Sequence, residues 1–168
     1  MFNKQHSRFL RTAAVLALMT VSISLQAATP ETEAAIVAGA PQGKALSVLE
    51  AKATAKDTDK IVVEGRVKDI VEGQAVFTLA DTKMKSCTDN GENCPTPWDY
   101  CCLSKAEITS GTATVKLVGA AGGKQALKDS LKGVKGINHL VGVTVEGTAQ
   151  KDKLGNLVVL ASKVYVKK

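Results

Sequence analysis

Ile61-Val62-Val63-Glu64-Gly65-Arg66-Val67-Lys68-Asp69-Ile70 alternates along its length. Ile61, Val63, Gly65 and Val67 fall on one face, and Glu64, Arg66 and Lys68 on the other. Successive side chains of a strand point to opposite faces, so this period predicts a half-buried β-strand. Gly65 inside it predicts a bulge or sharp coil, which a strand needs in order to bend around a barrel.

Downstream, Glu72-Gly73-Gln74 is a turn. Ala75 to Asp81 is a second strand, with Ala75, Phe77 and Leu79 inward. Thr112 to Val118 is a third, with Ala113, Val115 and Leu117 inward. Gly119 to Gly123 is a loop, and the apolar spacing of Lys124 to Leu131 predicts a short helix. Leu140 to Gly147 is a fourth strand, with Val141, Val143 and Val145 inward. Gly155-Asn156 supplies turn chemistry for a hairpin loop over Lys151 to Asn156, and Leu157 to Val166 is the fifth strand. Three strands, a short helix and two strands is the order of a mainly β, five-stranded OB-type Greek-key barrel. The two hairpins echo each other: Val63-Glu64-Gly65 precedes Gly73 by the interval that separates Val145-Glu146-Gly147 from Gly155.

Upstream, Lys44 to Lys56 has helical spacing and predicts a short N-terminal helix. Thr29 to Gly43, rich in Ala, Glu, Thr, Pro and Gly without a period, reads as a flexible leader. The barrel domain then occupies 44–168, with 82–104 inserted as a Cys-rich loop.

The first 28 residues read as a secretory signal peptide. Lys4, Arg8 and Arg11 precede an uncharged apolar run, Thr12 to Leu25, which ends in Gln26-Ala27-Ala28. The run is shorter than the roughly 20 residues a membrane span needs. The expected location is therefore periplasmic or extracellular, with no membrane span after cleavage. Removing the signal leaves 19 of the 22 basic residues and all 16 acidic ones, a net charge of about +3 rather than +6. A surplus that small favours solubility and argues little for nucleic acid.

Ser47-Val48-Leu49-Glu50-Ala51-Lys52, Asp57 to Asp59, Val62-Val63-Glu64-Gly65 and Phe77-Thr78-Leu79-Ala80-Asp81 together resemble the bacterial exported OB-fold (BOF) family. Val145-Glu146-Gly147 and the closing strand extend the resemblance over roughly Ser47 to Val166. It implies a short helix before an OB barrel and a binding or interaction role outside the cytosol, and it implies no catalytic residues. Cys94-Pro95-Thr96-Pro97-Trp98-Asp99-Tyr100-Cys101-Cys102 departs from that pattern and is similar to a stretch in small exported proteins of planctomycete-type bacteria.

Chemistry concentrates in that loop. Cys87, Cys94, Cys101 and Cys102 are spaced C-x6-C-x6-C-C. Outside the cytosol the default reading is two structural disulfides, each stabilising by about 2–4 kcal/mol. The rival is a metal site, since four thiolates suit Zn²⁺ or Cu(I), although paired C-x2-C knuckles are missing. Otherwise no cofactor is expected. Thiol-redox chemistry by the same four cysteines is the other alternative, although no C-x-x-C is present to support a thioredoxin-like reading.

Trp98 and Tyr100 are half of the aromatics beyond the signal, with Phe77 and Tyr165 the others. Held by Pro95 and Pro97, they read either as cover for one barrel end or, with Asp99, as a recognition surface for a small ligand, glycan or protein. OB barrels often bind along the second and third strands and the hairpin loops. Candidate ligand-binding residues there are Arg66, Lys68, Thr78, Lys116, Lys151 and Lys153. No aromatic on that outer face would stack bases, so single-stranded nucleic acid is a lesser reading. H-E-x-x-H, G-x-S-x-G and phosphate-loop patterns are absent, and the expectation is a non-enzymatic binding module.

Overall fold

The computed structural model describes residues 28–120 and 122–167. The signal-peptide reading of 1–28 lies, except for Ala28, outside these residues. Among them, no helix is long and apolar enough to cross a membrane.

The alternating stretch forms β3 (Lys60–Val71), and its burial alternates as its sequence does. The barrel is completed by β4 (Val76–Ala80), β5 (Thr112–Leu117), β6 (Gly142–Lys151) and β7 (Leu157–Val166). β3 pairs antiparallel with β4, and β4 with β5. β5 runs parallel to β7, β7 antiparallel to β6, and β6 returns to β3 and closes the ring. This is an OB-type barrel with two short added strands, β1 (Ile36–Ala38) and β2 (Leu46–Ser47). Val63, Val67, Phe77, Leu79, Val115, Leu117, Val145 and Val159 fill its interior with no exposed surface.

The echo between the hairpins has a structural basis. Val63 lies opposite Val145, Gly65 opposite Val143, and Gly147 opposite Ile61, so the two Val-Glu-Gly stretches are related by a local dyad. A Cβ on Gly65 would sit 2.5 Å from the Ala80 carbonyl oxygen on β4. A Cβ on Gly147 would sit 2.9 Å from the Ala161 Cα on β7. Both strands coil tightly onto their hairpin partners, and only a residue without a side chain permits the approach.

The added strands occupy edges the barrel would leave bare. β4 reaches β3 only as far as Arg66, and β2 pairs with Val63 and Glu64 beyond it. β5 leaves β7 at Ala161, and β1 pairs with Val164 to Val166 beyond it. Each supplies partners for backbone groups that would otherwise be unpaired. The helix α2 (Val48–Thr54) follows β2, with Ser47 and Glu50 forming a reciprocal capping box and Val48 and Ala51 buried.

Two expectations are corrected. The leader is not a free arm over 29–43. Pro30–Ala35 forms α1, β1 follows, and Ile36 is fully buried. The Asp129 carboxylate accepts hydrogen bonds from the Thr29 amide (3.3 Å) and from the hydroxyls of Thr29 (2.5 Å) and Thr32. A composition typical of a linker was overridden by one buried isoleucine and a carboxylate about a hundred residues away. Nor is Lys124 to Leu131 an α-helix: between β5 and β6 there is one 3₁₀ turn, Val134–Gly136. Leu127 donates its N–H to Leu117 (2.9 Å) and accepts from Ala75 (2.8 Å), so the segment extends the barrel's hydrogen bonding. A helix this short is marginal alone, and the tertiary bonds won.

The Thr29 hydroxyl, followed by that of Thr32, holds the Asp129 carboxyl below its ordinary value. Because the folded value is the lower one, the stabilisation is complete above the unfolded value of about 3.9 and is lost progressively below it, as pH falls through the lowered folded value. The Ile36 methyl resonances should therefore keep their native dispersion at about pH 4 and above and drift toward random-coil positions only at lower pH, as the lowered folded value is passed. In Asp129→Ala the drift should already be present at neutral pH; native Ile36 shifts in that variant would refute the clasp.

Candidate metal centre

The loop 82–104 leaves β4 at Asp81, whose buried carboxylate accepts from the Lys83 amide (2.9 Å) and from the Leu49 amide at the start of α2 (3.0 Å). Its two limbs are joined by backbone bonds from Cys87 to Asp99 and from Thr88 to Pro97, each 2.8 Å. The Thr88 hydroxyl adds a bond to the Pro97 carbonyl at 2.7 Å. Glu92 donates its amide to the Cys87 carbonyl at 3.0 Å, which folds the intervening turn back on the first cysteine. The loop then enters α3 (Lys105–Gly111), capped reciprocally by Ser104 and Glu107. That helix was missed in the sequence, although Ser104-x-x-Glu107 repeats the capping signal of Ser47-x-x-Glu50.

Two cations on the outward face of β3 hold the loop to the barrel. Arg66 donates to both oxygens of Asp89 at 3.1 and 2.5 Å, and to the Met84 carbonyl at 2.8 Å. Its guanidinium holds the Asp89 carboxyl well below the usual carboxylate range. Lys68 lies 2.6 Å from Asp69 and 3.4 Å from Asp99. Arg66, Lys68 and Asp99, expected as ligand-binding residues, are thus engaged in positioning the loop.

Beneath it, Tyr100 is completely buried in a second small core with Ala80 and Met84, against Leu103, Ile108 and Leu140. Tyr100 therefore presents no recognition surface. Its hydroxyl and the Arg66 Nε are buried without a hydrogen-bond partner of good geometry. Half-buried Trp98 stacks on His139 with ring centroids 4.8 Å apart and planes inclined by 18°. His139 Nδ1 lies 2.5 Å from the Lys68 carbonyl, which can only accept, so Nδ1 carries the proton.

On this platform the four sulfurs converge. Cys101 Sγ lies 3.2 Å from Cys87, 3.7 Å from Cys94 and 3.8 Å from Cys102. All four cysteines are free thiols, and the separations far exceed a disulfide bond of about 2.05 Å. No two of these sulfurs lie at the bonding distance that the two disulfides expected from export require. In a pair of disulfides each sulfur has one partner, whereas Cys101 has three close neighbours. Two of these separations match the edge of about 3.8 Å in a tetrahedral Zn–thiolate site with bonds of about 2.3 Å.

Glu92, which sequence reasoning passed over, belongs to the same cluster. The Cys102 thiol donates to its carboxylate at 2.8 Å, and Cys94 lies 3.9 Å from the same oxygen. Cys87, Glu92 and Cys94 form one group of donors within 4.8 Å of one another, and Cys87, Cys101 and Cys102 another. Cys87 is buried at the base, Cys94 is half-buried, and Cys101 and Cys102 face solvent. Hydrogen bonding from Cys101 lowers the Cys87 thiol pKa. Cys87 and Cys101 push Cys94 up to about 12, and the Glu92 carboxylate pushes Cys102 up.

The remaining candidates lie apart from the cluster's hydrogen bonds and ion pairs. Thr78 stands opposite Thr114 on β4 and β5. Lys116 lines a separate cleft. Lys151 donates its ammonium to the Lys52 carbonyl at 2.8 Å, and Lys153 is exposed at the last hairpin.

No family model and no curated protein matches the chain. Among solved structures it is similar to the hypothetical protein ygiW from E. coli, at 13% identity and a TM-score of 0.42, over 75% of this chain and 92% of that one.

Proposed function

We propose that this chain is a non-enzymatic OB-barrel module, acting outside the cytosol, that holds one soft metal ion, Zn²⁺ or Cu(I), in its cysteine cluster. The observation that carries the reading is the contact of Cys101 with three other thiols at 3.2, 3.7 and 3.8 Å. Thiolates prefer Zn²⁺ and Cu(I) over the harder divalent ions. Cys87, Cys94, Cys101 and Cys102 would hold the ion, and Glu92 stands beside two of them.

Mass measurement under native conditions, with a thiol count before and after unfolding in chelator, tests this on protein from its own compartment. One bound ion and four thiols titratable only after chelation support it. Four oxidised cysteines without metal would sink it, and would restore the disulfide staple.

A further inference from the structure

A second concave site lies on the barrel wall, at the β3–β4 turn and the outward face of β4 and β5. It encloses about 460 Å³ and is lined by Lys116, Lys124 and Lys128 together with Gln74, Gln125 and Val76. No carboxylate lines it, and among the described residues none forms an ion pair with these lysines. By contrast, Arg66, Lys68 and Lys167 each have a carboxylate within 4.0 Å, and what sets Lys116, Lys124 and Lys128 apart from other unpaired lysines is that they line one cleft.

The fold brings the three lysines to the lining of one cleft. Lys116 stands on β5 directly opposite Val76 of β4. Lys124 and Lys128 flank Leu127, whose backbone is hydrogen-bonded to Leu117 and Ala75 at 2.9 and 2.8 Å. Those bonds replace the helix that the sequence favours and lay the segment along the cleft, with Leu127 packed on the main core. Three cations lining one cleft without a carboxylate make it attractive to an anion, and a concave wall of low dielectric concentrates their field. The amides of Gln74 and Gln125 add donors that carry no charge.

We propose that this cleft binds a small, multiply charged oxyanion, phosphoryl or sulfuryl, held by Lys116, Lys124 and Lys128. The volume lies within the range of small-molecule sites and the donor set contains no base-stacking aromatic. The site is separate from the cysteine cluster and does not depend on it.

Calorimetric titration of the metal-free, reduced protein at fixed ionic strength tests the proposal, with inorganic pyrophosphate and sulfate as separate arms. Saturable one-to-one binding is expected for at least one of them, and whichever binds more tightly identifies the chemistry. Lys116→Gln and Lys128→Gln should each weaken it about tenfold. Lys153→Gln, at the distant hairpin, and Cys101→Ser should leave it unchanged. Equal weakening by Lys153→Gln would reduce the effect to net charge and overturn the proposal. So would full affinity in both cleft variants, no binding of either anion, or binding of a single-stranded oligonucleotide through these lysines when neither anion binds.

Discussion

Cys101→Ser should lower metal affinity on the order of a hundredfold or more while leaving the metal-free protein folded. Structural zinc sites in small peptides bind with about 10–16 kcal/mol shared among four ligands, and each 1.4 kcal/mol is tenfold. Serine keeps the size of the side chain and removes the soft donor. Cys101 is the sulfur that all three others approach, so its loss removes the contacts at 3.2, 3.7 and 3.8 Å together. It is solvent-exposed, and surface substitutions ordinarily change stability by less than about 0.5 kcal/mol. Cys94→Ser is the comparison: Cys94 has one sulfur contact under 4 Å, with Cys101 at 3.7 Å, and its loss should weaken binding less. A competition titration with a chromophoric chelator reads both. If the cysteines are instead paired in disulfides, Cys101→Ser will lower stability by about 2–4 kcal/mol, release one reactive thiol and leave metal content untouched.

Gly147→Ala should be the most damaging single methyl in the barrel. Its Cβ would meet the Leu160 carbonyl and lie 2.9 Å from the Ala161 Cα. These are backbone atoms of β7, so no rotamer change relieves the contact. β6 and β7 are paired from Val143 to Lys151, with an irregularity at Glu146–Gly147, and separating them there opens the ring. Overpacking commonly costs about 1–3 kcal/mol when side chains can shift. Here the cost should exceed that, against a total stability of about 5–15 kcal/mol. The midpoint of a thermal melt followed by circular dichroism should fall by more than about 10 °C. Gly142→Ala is the control, because its Cβ would meet only the flexible end of Lys167 at 3.4 Å. If Gly147→Ala melts with Gly142→Ala, the close approach does not govern closure of the barrel.

The strands were legible because strand identity is local. Period-two alternation in β3 and the glycines at 65 and 147 report which face is buried and where a strand coils, and Leu157 to Val166 emerged with its expected ends. Helical spacing over Lys44 to Lys56 is also local, and α2, closed by the Ser47–Glu50 capping box, appeared inside that range. The equivalent signal at Ser104–Glu107 was equally readable and was overlooked beside the cysteines.

Elsewhere local pattern was overruled by partners far along the chain. Lys124 to Leu131 has helical spacing, yet its hydrogen bonds go to Ala75 and Leu117. Thr29 to Ala38 has linker composition, yet it is clasped by Asp129 and completes the edge of β7. Arg66, Lys68 and Asp99 read as candidate ligand-binding residues because a sequence does not show which opposite charge will face them.

By itself the sequence determined a five-stranded barrel, its strand order and the presence of four cysteines in one inserted loop. Periodicity and turn chemistry act over a few residues and survive in any context. Only the tertiary structure decided that the cysteines converge around Cys101 with Glu92 beside them, and that three lysines line one cleft without a carboxylate. Both depend on backbone bonds between distant segments, where the free energy of closing the barrel outweighs what each short segment prefers alone.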